Sequence, residues 1–205
     1  YDFHGLRGVD LAGKTLGVVG TGHIGKALIT MTKGFGVTIL AYDRFPDRAA
    51  AKKLKFTYTN LNNLLKQSNI VTLHTPLTPQ THHLINKTNI ASMKKGSYLV
   101  NTARGALVDP EALLKALESG HLAGAGLDVL EDENLIQNYE EIIQGTCTDC
   151  ELKTSLINKL IIEHPNSIVT PHNAFNSEEA IKRIIDTTVQ NIHAFLKATP
   201  INIVR

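Results

Sequence analysis

A chain of 205 residues with 42 % hydrophobic and 20 % charged content has room for one large domain or two small ones of ordinary globular make-up. Its 21 Lys and Arg are interspersed with 19 Asp and Glu for a net charge of +2, which offers neither a nucleic-acid surface nor the charge signature of a membrane partner. No apolar run approaches the roughly 20 residues of a membrane span, and Tyr1-Asp2-Phe3-His4-Gly5 lacks the layout of a secretory signal, so the expected location is cytoplasmic.

The first apolar run, Leu16–Val19, is short and bounded by turn residues, and reads as a buried strand. Gly20-Thr21-Gly22-His23-Ile24-Gly25 follows, and a helical pattern runs from Ile24 to Lys33. A second strand is expected at Val37–Ala41, a helix at Leu61–Gln67, and further strands at Ile70–Leu73 and Ser97–Val100. Asp109 and Pro110 suit an N-cap and first helical position and Gly120 a stop, giving a helix over Pro110–Ser119. Ala123–Leu127 reads as the fifth strand.

Residues 131–163 are polar and longer than a typical connection, with short helices expected at Asn134–Gln144 and Thr154–Leu160. Ile168–Thr170 is a sixth strand. In a last helix, Ser177–Lys197, the side chains of Ile181, Ile184, Ile185, Thr188, Ile192, Phe195 and Leu196 form one apolar stripe suited to packing, within this domain or onto something outside the chain. Alternation of this kind predicts an α/β fold with a parallel sheet covered on both faces.

The two cysteines, Cys147 and Cys150, lie in a polar stretch with no second pair to complete a tetrahedral zinc site, and His164 fits no standard ligand spacing. They read as incidental surface thiols, and no metal site is expected. His4, His82, His83, His121, His164 and His193 read as surface histidines without an assigned role.

A lone Gly-x-Gly-x-x-Gly is weak, but this one follows a strand and opens a helix, as a dinucleotide fingerprint requires. Gly20 permits the tight turn, Gly22 lets the backbone approach a pyrophosphate, and Gly25 lets helix and strand pack closely. The helix N-terminus offers N–H groups and a partial positive charge to the phosphates. Asp43, at the end of the second strand, stands where the fingerprint places an acid for the adenosine ribose; it would repel a 2′-phosphate, favouring NAD over NADP. Arg44 beside it could tolerate such a phosphate. The expected fold is thus a doubly wound, Rossmann-type sheet.

Asn101-Thr102-Ala103-Arg104-Gly105 follows the fourth strand at its carboxyl end, where open α/β sheets bind ligands. Alone, Arg104 would read as a surface ion-pair partner; in that crevice its planar fork can grip a carboxylate and polarise a carbonyl.

Four phrases, in order, carry a resemblance: Val71-Thr72-Leu73-His74-Thr75-Pro76-Leu77-Thr78, Asn101 to Gly105, Gly126-Leu127-Asp128-Val129-Leu130-Glu131-Asp132-Glu133, and Thr170-Pro171-His172-Asn173-Ala174. From about Gly5 onward the chain resembles the D-isomer-specific 2-hydroxyacid dehydrogenases, and its long stretch between Glu133 and His172 resembles their D-lactate branch. The resemblance implies Arg104 as substrate-binding residue, His172 as general acid/base and Glu133 as the acid that orients it, with Glu131 the rival two positions earlier. A His suits proton delivery to a carbonyl oxygen near neutral pH, and a nearby carboxylate favours its charged form. Cofactor contacts implied are Gly20, Gly22, His23, Ile24, Gly25, Asp43, Thr75, Pro76, Thr81, Thr102, Ala103, Arg104 and Asp128. His74 suits either packing or a pocket role.

The implied activity is NAD-dependent hydride transfer between a nicotinamide and a 2-hydroxy or 2-keto acid, D-lactate and pyruvate first, in a homodimer joined through the cofactor domain. Residues 1–175 are expected to form the NAD-binding domain and 176–205 a helix and tail leading to a substrate domain largely absent from the chain. On that reading the chain is a truncated form, poorly active alone. The alternative is an NAD-sensing transcriptional corepressor of the same fold. Formate oxidation is disfavoured, because its active His is partnered by an amide where this chain offers Glu133.

Overall fold

The computed structural model describes residues 8–133 and 148–203. The chain divides into two units, Tyr1–Pro171 and His172–Arg205. In the first, the strands are β1 (Thr15–Val19), β2 (Thr38–Tyr42), β3 (Thr57–Tyr58), β4 (Ile70–Leu73), β5 (Ser97–Asn101), β6 (Leu122–Leu127) and β7 (Ser167–Val169). Its helices are α1 (His23–Thr32), α2 (Arg48–Leu54), α3 (Leu61–Gln67), α4 (Lys87–Ile90), α5 (Pro110–Glu118) and α6 (Asp149–Glu163).

All strand pairs are parallel, in the order β3-β2-β1-β4-β5-β6-β7. The chain winds outward one way from β1 and the other way from β4, so the order reverses between those two strands, the place where doubly wound sheets open a crevice. Buried apolar side chains gather in two clusters. Leu16, Val18, Ile29, Ile39, Ala41 and Phe56 form one; Val71, Leu73, Leu99, Leu113, Leu117 and Ile161 belong to the larger one. The period-two alternation of β1 is visible in that split, since Val18 joins the first cluster and Val19 the second.

Helix starts are fixed by short polar side chains. Asp47 Oδ1 accepts from Ala50 N at 2.9 Å, Asn60 Oδ1 from Asn63 N at 2.8 Å, and Asp109 Oδ1 from Glu111 N and Ala112 N at 3.0 and 3.1 Å, with Pro110 at the first helical position. The six expected strands are present with ends shifted by a residue or so. The two-residue edge strand β3 and the short helices α2 and α4 carry too little apolar periodicity to be read from sequence. A larger correction falls on α6. Thr148 and Glu151 form a reciprocal capping box, so the helix begins at Asp149 rather than near Thr154 and runs on to Glu163. Exposed Cys150 therefore stands in its first turn rather than in an irregular stretch. The helix expected at Asn134–Gln144 and Cys147 lie outside the described residues.

The second unit is a lone helix, α7 (Glu178–Leu196), with its flanking segments. Ser177 Oγ accepts from Ala180 N at 3.2 Å, and Glu178 and Glu179 place negative charge at the N-terminus. Its apolar stripe is exposed throughout, from 38 % at Ile181 to 76 % at Leu196. A single helix offers nothing within its own unit to cover such a face.

Asp109→Ala should remove the cap of α5, whose Leu113 and Leu117 anchor the larger cluster. The expected loss is about 1 kcal/mol, roughly 2–4 °C in Tm for a chain of this size. Thermal denaturation checks it; an unchanged Tm would refute the cap's role.

Candidate functional site

Six strands stop level with one another. Val19 pairs with Tyr42 and Leu73, Leu73 with Asn101, Asn101 with Leu127, and Leu127 with Val169, and each of these is the last residue of its strand. The ladder continues one step into the loops: Gly20 N donates to Tyr42 O at 2.8 Å, His74 N to Val19 O at 2.7 Å, and both Asp128 N to Asn101 O and Thr170 N to Leu127 O at 2.9 Å. Gly20, Asp43, His74, Thr102, Asp128 and Thr170 thus form a row along the carboxyl edge.

At the reversal between β1 and β4 lies a cleft of about 350 Å3, lined by Gly20, Gly22, Asp43, Thr75, Pro76 and Thr81 among others. Gly20 has φ +96°, and a Cβ there would stand 2.5 Å from His74 O. A Cβ on Gly25 would stand 2.1 Å from Gly20 O, so α1 packs directly on the turn. At Gly22 a Cβ would meet nothing within 4 Å. No side chain caps α1 and no acid sits in its first turn, which leaves its N-terminus suited to an anion. His23 and Ile24 open that helix; Ile24 is 69 % exposed, an apolar side chain left at the turn.

Asp43 is held from several sides. Its Oδ2 accepts from Thr21 N at 2.7 Å and Thr21 Oγ1 at 2.8 Å, and its Oδ1 from Phe45 N at 2.9 Å. Thr21 has one hydroxyl proton and gives it to Asp43, so Tyr58 donates to Thr21 Oγ1 at 2.7 Å and accepts from Asp47 N at 3.1 Å. Burial pushes the Asp43 carboxyl up, but the hydrogen bonds from Phe45 and Thr21 and the charge of Lys26 outweigh it, and the net displacement is below the ordinary value. Oδ2 thus has both acceptor sites taken, and Oδ1 keeps one for a further donor. The Arg44 guanidinium lies 5.4 Å from the centre of the Phe45 ring.

On the opposite rim, Thr81 Oγ1 accepts from Thr78 N and donates to Pro76 O, both at 2.7 Å, closing the loop that carries Thr75 and Pro76. His74 is partly buried, with Nε2 2.9 Å from Thr72 Oγ1, and burial lowers its affinity for a proton. It both packs and lines the cleft.

Buried Asn101 clamps the next loop: its Oδ1 accepts from Ala103 N at 3.1 Å and its Nδ2 donates to Arg104 O at 2.8 Å. Thr102 and Arg104 are exposed, and Arg104 Nη1 donates to Ala103 O at 2.6 Å. A Cβ on Gly105 would stand 2.0 Å from Leu130 C and O and 2.3 Å from Glu131 N. The loop of Arg104 is therefore seated on the turn of Glu131 and Glu133. Glu133 Oε2 accepts from Leu130 N at 3.3 Å, whereas the Glu131 carboxylate meets His83 Nε2 at 2.8 Å and His82 Nε2 at 3.4 Å. Asp128 is buried and accepts from Thr170 Oγ1. His172 belongs to the second unit, exposed, with φ +51°.

Residues 2–174 match the model of the D-isomer specific 2-hydroxyacid dehydrogenase, NAD binding domain. The chain belongs to this dehydrogenase family. It is 42 % identical over 186 residues to the D-specific alpha-keto acid dehydrogenase of Enterococcus faecalis, covering 91 % of this chain and 54 % of that protein. It is 38 % identical over 192 residues to the D-lactate dehydrogenase of Escherichia coli, covering 94 % and 56 %. The structure of a D-lactate dehydrogenase from Aquifex aeolicus with NAD and lactic acid superposes with a TM-score of 0.81 at 41 % identity, covering 93 % of this chain and 56 % of that one. The chain spans a little over half the length of the curated relatives it matches.

As a dehydrogenase cofactor domain the chain takes NAD, and its residues fit that group: an uncapped helix N-terminus for phosphates, open space over Gly22, and a fixed carboxylate for a ribose. Sequence reasoning quoted Thr21 and Asn101 within motifs but gave them no role, and it missed Tyr58; the three touch the site through Asp43 and the loop of Arg104. Thr21 could have been flagged as the hydroxyl inside the glycine turn; Tyr58, on an unrecognised strand, carries no such signal.

Asp43→Ala should weaken NADH binding about 10- to 100-fold, the worth of hydrogen bonds to a charged group, while NADPH binding changes little. Calorimetric titration with each cofactor checks this, and equal losses for both would count against the ribose role. Gly105→Ala forces a Cβ into the Leu130–Glu131 peptide and should destabilise the chain by about 1–3 kcal/mol. Chemical denaturation reads that out; a neutral result would mean the two loops move apart freely.

Proposed function

We propose that this chain is the cofactor-binding part of an NAD-dependent reductase of 2-keto acids to D-2-hydroxy acids, with pyruvate and D-lactate the first pair to test. When bound, NADH supplies hydride to the keto carbon. The chain's own residues divide the remaining work. Arg104 grips the substrate carboxylate and polarises the carbonyl. His172 gives a proton to the carbonyl oxygen and takes it back in the reverse direction. Glu133 is assigned the role of orienting that imidazole. Thr102, Ala103 and Asp128 attend the nicotinamide end, and His23, Ile24, Thr75, Pro76 and Thr81 the rest of the cofactor.

The observation that carries this reading is the seat of Gly105 on the Leu130–Glu131 peptide. It sets a guanidinium loop and an acidic turn together at the carboxyl edge of the sheet that carries the glycine turn. The engagement of Glu131 by His82 and His83 favours Glu133 as the acid of the reaction. The lactic acid in the Aquifex aeolicus structure supports the substrate choice. The relatives reported above bear enzyme names, and nothing in them favours a corepressor.

We also propose a homodimer through the cofactor domain. An apolar groove lined by Leu11, Leu28, Phe35 and Val37 supports it. Of the 205-residue chain alone we expect NAD binding with little turnover.

The test is steady-state reduction of pyruvate and of longer 2-keto acids by NADH with the full-length protein. His172→Gln should lower kcat by about 100- to 10,000-fold with NADH affinity retained. Glu133→Gln should lower kcat with NADH affinity retained, since the general acid loses the residue assigned to orient it. An unmodified protein that binds NADH yet turns over no keto acid would sink the assignment.

A further inference from the structure

His82 and His83 end the turn that begins at Thr78, and His83 has φ +46°, the left-handed region a β-carbon disfavours. In extended backbone, consecutive side chains point to opposite sides. Here the two rings lie on one side, stacked 4.0 Å apart with 28° between their planes. Both turn Nε2 toward the same carboxylate, His83 at 2.8 Å from Glu131 Oε2 and His82 at 3.4 Å from Oε1. Among the described residues this is the one group of three His, Cys, Asp or Glu whose ligand atoms fall within 4.8 Å of one another.

Glu131 is also fixed from behind. Asn158 Nδ2 donates to its carbonyl at 2.7 Å, Gly105 packs on its peptide nitrogen, and its side chain is only 15 % exposed.

Three ligand atoms of two imidazoles and one carboxylate converge here from two separate turns. A divalent cation can accept both Nε2 lone pairs and a carboxylate oxygen at once. Zinc bonds of about 2.0–2.2 Å place tetrahedral donors about 3.4 Å apart. The present spacings of 2.8 and 3.4 Å to the carboxylate lie at or below that distance, and the stacked rings must turn about their χ angles for both lone pairs to meet one ion.

We propose that His82 Nε2, His83 Nε2 and the Glu131 carboxylate form a binding site for a zinc-like divalent cation. Two imidazoles and one carboxylate suit zinc, nickel or copper and not the oxygen-seeking magnesium or calcium. His82, half exposed, leaves the remaining coordination position to water. The cation cross-links the 78–83 turn, whose Thr78, Gln80 and Thr81 line the cofactor cleft, to the 131–133 turn. Binding to the folded chain alone raises its stability by mass action. The site is separate from the roles given to Arg104, Glu133 and His172.

The test uses the purified chain, stripped of metal and carrying Cys147→Ser and Cys150→Ser so that thiols do not compete. Titration with zinc chloride should give one equivalent bound and a rise in Tm that magnesium does not reproduce. His83→Gln and Glu131→Gln should each weaken binding about 100-fold or more, beyond what outer partners of a metal contribute. His121→Gln and His164→Gln should leave it unchanged. Should a variant unfold, zinc titration of the parent followed by histidine NMR decides: the resonances of His82 and His83 move together. Absence of one-equivalent binding, binding that survives both substitutions, or movement of other imidazoles overturns the site.

Discussion

Parallel strands that end in register present their next backbone groups at one level, and the loops they feed start from a common edge. Here that edge is set by the pairing of Val19, Tyr42, Leu73, Asn101, Leu127 and Val169, last residues of six strands in adjacent positions. A one-residue slip in any of these pairs would exchange the faces of a whole strand, moving Val18 out of one core cluster and Val19 out of the other. Burial on both faces therefore protects the register, and the register delivers Gly20, Asp43, His74, Thr102 and Asp128 to the same side. The chemistry of the edge depends on the hydrophobic core behind it.

The contacts among the loops are of two kinds. Some are steric, such as the fit of Gly105 against the Leu130–Glu131 peptide and of Gly25 against Gly20. Others are polar clamps on backbone, such as Asn101 on the loop of Arg104 and Thr81 on the loop of Pro76. Both act on main chain, which leaves the exposed side chains of Arg104, Thr102 and Ile24 available to a ligand while their Cα positions stay fixed.

Sequence made the large elements legible because their signals are local. A glycine turn between a strand and a helix, an acid at the end of the next strand, and Asp109-Pro110 at a helix start each lie within a few residues. What was hidden depends on distance along the chain or on shortness. β3 has two residues, α4 is set by the capping box of Asn86, and α6 begins at a Thr148–Glu151 pair inside a stretch read as irregular. The approach of His83 to Glu131 spans 48 positions, and no periodicity announces it. Two adjacent histidines in a turn look like solvent until a left-handed residue brings their rings to one side. The apolar stripe of α7 was legible as a stripe; that its own unit leaves it bare follows from the division of the chain, not from the pattern.

The relay from Asp47 N through Tyr58 and Thr21 to Asp43 joins the outermost strand of the sheet to the acid at the end of β2. The Asp43 rotamer is consequently chosen during folding, before any ligand arrives, and its ordering entropy is not charged again on association. β3 has strand neighbours on one side only, and edge elements open more readily than central ones. Local fraying there would release Tyr58 and free the Thr21 hydroxyl to turn, loosening one of the three hydrogen bonds on Asp43 while those from Thr21 N and Phe45 N and the core stayed intact. Part of the ordering of Asp43 is in that sense a property of the sheet's weakest margin, and it should loosen with temperature ahead of global unfolding.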